Sequence, residues 1–304
     1  MSVKGIAPVS RVAAASALLV AAVSLPALIE LSRAEAAGLE VALTAGTGGI
    51  ALVMGPTGIP DPSDGYVTTA ERLYLQPLGF TGTAESLYTP EASGNTDVGL
   101  ADDVKYIMAA VHEQLATGEV NGDNPIWLFG YSQSAAAAAL AAQQLHAEGV
   151  AAENLHFVLL GDGASAHGGL LNSLLPSLPD WLRSWVEPLL PMFGLQDSMG
   201  LTHPDYYPTD IYTISNDGYA NWPADISDLN ATLNALGGMF SSHLYYLGLS
   251  PEQIPSPSDP DFTDGLANYY TIDADSINGW DALVQAGVNL EIISAELGQF
   301  LTAF

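Results

Sequence analysis

The stretch LFGYSQSAAAAA, Leu128 to Ala139, places one serine between a strand-like apolar run and a run of alanines. A serine hydroxyl is a weak nucleophile unless a base takes its proton and the backbone holds it where a substrate can reach it. A strand running straight into a helix supplies that placement, because the apex residue of the tight turn is strained and its side chain projects from the sheet. Small residues two positions either side let strand and helix approach. Here they are Gly130 and Ser134, so the pattern reads G-x-S-x-S in place of the usual G-x-S-x-G. Ser132 is therefore the candidate nucleophile for acyl chemistry through a covalent intermediate. The backbone N–H of Gln133, at the positive end of the following helix, is the first candidate oxyanion donor. The turn Gly55-Pro56-Thr57-Gly58 offers a second, through the Thr57 backbone or its hydroxyl.

A nucleophilic serine needs a base and an acid that orients it, and in α/β hydrolases the chain order is Ser, Asp, His, each at or beyond the C-terminal end of a strand. Asp217 follows the strand-like run Ile211–Ser215 and precedes Gly218, which fits the acid. Asp162, after Leu155–Leu160, is its competitor, whereas Asp210 precedes its strand. His243 is the only histidine C-terminal to Asp217, so chain order selects it as base; with Asp162 as the acid, His167 or His203 would become eligible. His112, His146 and His156 fall on helices or at a strand start and read as surface or packing residues.

The elements that must position these groups are legible as alternating patterns. Leu39–Leu43, Ile50–Met54, Pro125–Phe129, Leu155–Leu160 and Ile211–Ser215 read as strands. Apolar residues at Val98, Ala101, Val104, Ile107, Met108, Val111 and Leu115 predict a helix over Asp97–Leu115, and Ser134–His146 is rich in helix formers. Alternation of this kind predicts an α/β fold with a mostly parallel central sheet. An apolar helical insertion, Gly168–Pro208, interrupts it before the acid strand and reads either as ordinary packing or as a lid over the site. A last helix is expected over Trp280–Phe304. Gly46-Thr47-Gly48-Gly49-Ile50-Ala51 matches a loose dinucleotide fingerprint but leads into another strand, with no helix start to hold a pyrophosphate, and reads as a turn.

Charge narrows the partners. With 34 acidic and 6 basic residues the 304-residue chain carries a formal net charge of −28, which repels nucleic acid and anionic surfaces. An uncharged or apolar substrate suits it better. There is no cysteine, hence no disulfide and no thiolate chemistry. The histidines show no metal-binding spacing, since the string begun by His112-Glu113 ends in Ala116, and neither a metal nor any other cofactor is expected. Lys4 and Arg11, the apolar run Val12–Ile29 and Ala34-Glu35-Ala36 form the pattern of a signal peptide or N-terminal anchor over residues 1–36, followed by one domain over 37–304. A secreted or envelope-associated protein is expected, with membrane contact confined to the N-terminus.

MGPTGIPDP (Met54–Pro62), LYTPE (Leu87–Glu91), GYSQSA (Gly130–Ala135) and NDGYANWP (Asn216–Pro223) together resemble the PE-PPE domain of mycobacterial serine hydrolases, an α/β-hydrolase group similar to cutinases. The resemblance runs over roughly Ile50–Leu247 and implies an esterase or lipase-like activity on acyl esters, or acyl transfer onto envelope lipids or sugars. It places Ser132, Asp217 and His243 at the matching triad positions. Two segments depart from the family pattern: its Asp-Phe-Pro reads Asn221-Trp222-Pro223 here, and its His-Gly reads His243-Leu244. A signal peptide or anchor is expected in place of a PE or PPE secretion module. A catalytically silent envelope protein that keeps the fold is the reading these occupied positions argue against.

Overall fold

A computed structural model of the chain describes residues 49–92, 96–180, 183–184, 202–292 and 298. The expected leader over residues 1–36 and the expected strand Leu39–Leu43 lie outside the described residues.

β1 (Ile50–Val53) is followed by α1 (Asp64–Ala70), which Ser63 caps through its hydroxyl and which continues as a π-helical turn, Glu71–Leu75. Next come β2 (Thr83–Ser86), α2 (Thr96–Ala116), β3 (Ile126–Tyr131), α3 (Gln133–Ala147), β4 (Leu155–Leu160), α4 (Leu170–Ser177) and β5 (Thr209–Ile214). The chain continues through α5 (Leu229–Met239), capped by the Asp228 carboxylate, to β6 (Phe262–Asp264), β7 (Ala267–Ile272) and α6 (Gly279–Asn289). The strands form one seven-stranded sheet in the order β2-β1-β3-β4-β5-β7-β6. Every neighbouring pair is parallel except β6 with β7. This is an α/β-hydrolase architecture, with β3 near the middle of the sheet.

β1 and β3 are buried along their whole length, which is why they read as unbroken apolar runs rather than alternating ones. On one face Val53, Phe129, Tyr131, Leu160, Tyr212 and Tyr270 pack with Tyr66, Tyr74 and Tyr246 into an aromatic core. On the other, α3 lies on β3 and α2 on α3. Ala135–Ala139 and Ala141 are all buried, so over this stretch α3 presents methyl groups to its neighbours and sits close to the sheet, with Ser134 and Leu145 buried at either end. Of the expected helical face of α2, Val104, Ile107, Met108 and Val111 are buried, joined by Leu100, whereas Val98 and Ala101 are exposed and Leu115 is half-buried.

Three expectations change. Asp210 lies inside β5 rather than before it, because the strand begins at Thr209. Within the expected helix Trp280–Phe304, α6 ends at Asn289, where Leu290 caps it and Glu291 turns into the left-handed region at φ 58°, and residues 293–297 and 299–304 lie outside the described residues. The stretch Pro251–Pro260 reads from sequence as a Pro-rich loop leading to the final helix, but it is followed by a β6–β7 hairpin not apparent from the sequence pattern. Within the insertion, α4 hands its first amide to the Tyr219 carbonyl and its Ser177 hydroxyl accepts from the Trp222 indole N–H, so it stands beside the acid turn. Residues 181–182 and 185–201 of this insertion, which reads as packing or as a lid, lie outside the described residues.

Candidate active site

β3 enters α3 through one residue. Ser132 has φ 60° and ψ −114°, a strained conformation for a residue with a Cβ, and makes no side-chain capping bond to its own helix. Gly130 is required by contact: a Cβ there would lie 2.8 Å from the Cα and N of Ala135. Ser134 stands where the usual pattern has glycine. Its buried hydroxyl accepts from the Tyr131 N–H (2.9 Å) and donates to the Tyr131 carbonyl (3.1 Å), tying the turn across its base. The departure from G-x-S-x-G therefore adds two hydrogen bonds to the elbow.

The Ser132 Oγ lies 2.7 Å from His243 Nε2, and His243 Nδ1 lies 2.7 Å from Asp217 Oδ2. His243 sits in a 3-10 turn, Ser242–Leu244, and Asp217 in the turn after β5; both side chains are buried. Asp217 accepts three hydrogen bonds in all. The Tyr219 N–H reaches Oδ1 (3.0 Å), and the Tyr246 hydroxyl joins His243 on Oδ2 (2.8 Å). Such an array compensates a buried carboxylate and holds the imidazole with its Nδ1–H toward the acid. The Tyr131 hydroxyl donates to the His243 carbonyl and fixes the backbone of the same turn. Burial, and then the Asp217 charge, hold the Tyr131 and Tyr246 phenols well above their usual range, so both act as neutral donors.

The competing groups are occupied elsewhere. Both oxygens of buried Asp162 are taken, by the Thr202 hydroxyl (2.6 Å) and the Ala164 N–H (2.8 Å), and burial pushes its carboxyl up to about 6. His167 pairs with Asp264 (2.9 Å) and packs edge-on to Phe262 and Tyr269, while His203 stacks on Tyr206. His156 stacks on Trp127 and bonds Asp210 (2.6 Å), and His146 stacks on Tyr206. His112 pairs with exposed Glu148. Asn221 and Trp222, the first departure from the family pattern, fold back onto Ser215 and α4, and Leu244 beside His243 is partly exposed.

The two candidate oxyanion elements touch. The Thr57 hydroxyl donates to Gln133 Oε1 (2.8 Å), and among the described residues neither the Thr57 nor the Gln133 backbone N–H donates to a protein acceptor. Sequence reasoning missed the groups behind them. Gln133 Nε2 donates to Asp103 on α2 (2.7 Å), and Asp103 also accepts from the Glu91 N–H (2.9 Å). It also missed Tyr246 and Tyr131, whose roles depend on contacts across the sheet.

Glu91 is buried, takes one bond from the Thr89 hydroxyl (2.7 Å) and has its other oxygen unpartnered. Burial first, and then the nearby Asp103 carboxylate, raise its carboxyl to about 9. The folded state thus holds a proton that the unfolded chain releases above about 4.5, and stability falls as pH rises between about 4.5 and 9. Glu91→Gln removes that titration while keeping an acceptor for Thr89. The variant should melt higher than the parent at pH 8 and equal it near pH 4.5, the gap growing by up to about 1.4 kcal/mol per pH unit. Thermal melts of both proteins across pH 4.5–8.5 check it; parallel profiles would contradict it.

The PE-PPE domain family matches residues 80–295, the span that carries the elbow, the acid turn and the histidine. The chain belongs to the PE-PPE domain family. Among curated relatives, Esterase PE16 of Mycobacterium tuberculosis (strain ATCC 25618 / H37Rv) is 33% identical over 245 residues, covering 75% of this chain and 43% of that protein. PPE family protein PPE28 of the same strain is 30% identical over 240 residues, covering 75% and 34%. This PE-PPE chain thus spans less than half the length of those relatives. Solved structures similar to it include lysin B from Mycobacteriophage D29 (15% identity, TM-score 0.37, 85% and 87% covered). A cutinase-like protein from Cryptococcus sp. is also similar (18% identity, TM-score 0.33, 63% and 91% covered).

Proposed function

We propose that this PE-PPE domain is a serine ester hydrolase acting on acyl esters. The observation that carries the reading is the unbroken relay from Ser132 Oγ through His243 to Asp217, set at a strained strand-to-helix turn. In this reading His243 Nε2 takes the Ser132 proton as Oγ attacks the ester carbonyl, and Asp217 stabilises the imidazolium that forms. The backbone N–H groups of Gln133 and Thr57 bind the oxyanion. Collapse of the tetrahedral intermediate breaks the ester C–O bond, and His243 returns its proton to the leaving alcohol. Water, deprotonated by the same imidazole, then attacks the acyl-enzyme and frees the acid. The esterase name of one relative supports the reaction class. The same relay would serve acyl transfer if a lipid or sugar hydroxyl replaced water in the second half.

A surface feature supports an acyl-bearing substrate. α5 buries Ala235 and Gly238 against the acid turn and turns Leu229, Leu233, Leu236 and Phe240 outward on the opposite face; Phe240, three residues before His243, is 78% exposed. Apolar residues at this helical spacing, left in solvent beside a catalytic histidine, form a ready contact for hydrocarbon. No helix among the described residues is long and apolar enough to cross a membrane. The secreted or envelope-associated location rests on the apolar run and small-residue site within residues 12–36.

The test is hydrolysis of p-nitrophenyl esters of graded chain length, with and without a sugar or glycolipid acceptor. Free acid as the product in both arms supports the hydrolase, and acylated acceptor would replace it with the transferase. Leu233→Ser with Phe240→Ser should raise KM for long-chain esters about tenfold and leave acetate esters within twofold, on the scale of 1–3 kcal/mol for lost apolar contacts. Equal loss at every chain length would contradict the role of α5.

A further inference from the structure

We propose that Asp103 is a positioning residue for the oxyanion hole, closing a ring of hydrogen bonds that clamps the Thr57–Gly58 turn to Gln133. The ring also commits the Thr57 hydroxyl to donating inward. The inference rests on Ser132 acting as the nucleophile, and it concerns residues remote in sequence from the relay.

The ring can be followed atom by atom. Asp103 Oδ2 accepts from Gln133 Nε2 (2.7 Å), and Gln133 Oε1 accepts from the Thr57 hydroxyl (2.8 Å). The next residue, Gly58, donates its N–H to the Glu91 carbonyl (3.0 Å), and the Glu91 N–H returns to Asp103 Oδ1 (2.9 Å). Four segments meet there: the turn after β1, the loop after β2, α2 and the start of α3. Asp103 and Gln133 each touch two of the other three through their side chains, Asp103 with one contact on each carboxylate oxygen.

Three features mark the ring as more than incidental packing. Asp103 is fully buried, and Lys105 on the same helix pairs with exposed Asp102, so no ion pair is described that offsets the burial of the carboxylate. An alanine would suit the helix interior better. Glu91 is held at φ 46°, so two of the three non-glycine residues with positive φ among the described residues, Glu91 and Ser132, belong to this assembly. Gly99 lets α2 close on it: a Cβ there would lie 2.9 Å from the Ala92 carbonyl oxygen and 3.3 Å from Gln133 Nε2.

The carboxylate also sets direction. An ionised Asp103 only accepts, so Gln133 must turn its NH2 group toward it and its oxygen toward Thr57. The Thr57 hydroxyl then gives its proton to Gln133 Oε1 and has none left for an oxyanion. The two backbone N–H groups, on Thr57 and Gln133, remain as donors, and the ring fixes the distance between them. This decides between the backbone and hydroxyl readings of Thr57 in favour of the backbone.

The experiment measures kcat and KM on a short-chain p-nitrophenyl ester, and melting temperature, for the parent, Asp103→Ala, Asp103→Asn, Thr57→Val and the Asp103→Ala/Thr57→Val double variant. Parent turnover that depends on Ser132 establishes the underlying reading; its absence would sink that reading before the ring is tested. With an active parent, Asp103→Ala should lower kcat about 10- to 100-fold with KM within about twofold, less than the 10²–10³ of a deleted oxyanion donor. Its melting temperature should hold or rise as a buried charge leaves a helix. Asp103→Asn can close the ring again with the Gln133 amide reversed and should recover most of the lost kcat. Thr57→Val should cost no more than Asp103→Ala, and the double variant no more than the larger single loss, since both cut one ring. Unchanged kcat in Asp103→Ala, a loss shared equally by Asp103→Asn, additive losses in the double variant, or a Thr57→Val loss of 10³ would each overturn the proposal. Should Asp103→Ala not fold, the Asp103→Asn and Thr57→Val results decide it.

Discussion

His243→Ala should lower kcat for ester hydrolysis by a factor on the order of 10⁶ while the protein keeps its fold. Removing one member of a serine-histidine pair costs nearly as much as removing the pair, since neither group can act alone. The imidazole here is the only group described in contact with the Ser132 hydroxyl, at 2.7 Å. Its loss leaves the serine with the pKa of an ordinary alcohol. The surrounding turn is held independently of the ring, through the Tyr131 hydroxyl on the His243 carbonyl and the Tyr74 hydroxyl on the Tyr246 carbonyl (2.7 Å). The variant should therefore melt near the parent. His167→Ala and His203→Ala, whose rings pack against Phe262, Tyr269 and Tyr206, should keep kcat within about threefold. Steady-state assays of the three variants check this, and near-parent turnover by His243→Ala would move the base elsewhere.

Asp217→Asn should lower kcat by about 10⁴ with little change in KM, because the geometry survives and the tautomer does not. An asparagine that turns its NH2 group toward Nδ1 forces the ring proton onto Nε2, where it faces Ser132 and cannot accept its proton. The Tyr246 hydroxyl, which donates to Oδ2 and accepts from the Ile214 N–H (3.0 Å), favours the carboxylate over the amide at this position. Asp162→Asn keeps an oxygen for one of its two donors and touches no described histidine, so kcat should stay within a few fold of the parent. A larger loss in Asp162→Asn than in Asp217→Asn would exchange the two assignments.

Much of this arrangement was legible in the chain itself. The elbow could be read because its constraints are local: a small residue before it, an apolar strand leading in and an alanine-rich helix leading out, all within Leu128–Ala139. Asp217 and His243 were reached by chain order, which encodes the strand sequence of the fold. Tyr246 and Asp103 were not, since nothing nearby in sequence distinguishes them from an ordinary core tyrosine or a solvated acid on an acidic helix. Their partners lie 29 and 30 residues away, supplied by the packing of separate elements. β2, Thr83–Ser86, was missed because it is a short, partly exposed edge strand without an apolar run. The end of α6 was overrun because the helical pattern continues past Leu290 while the backbone turns at Glu291.

The central claim is that Ser132 is an activated nucleophile. Incubation of the protein with a fluorophosphonate, followed by peptide mapping by mass spectrometry, tests it most directly, with Ser132→Ala and His243→Ala alongside. The account predicts one covalent adduct, on the peptide that carries Ser132, absent from Ser132→Ala and formed orders of magnitude more slowly in His243→Ala. A folded parent protein that stays unlabelled, or that labels at another residue with Ser132→Ala unaffected, would contradict it.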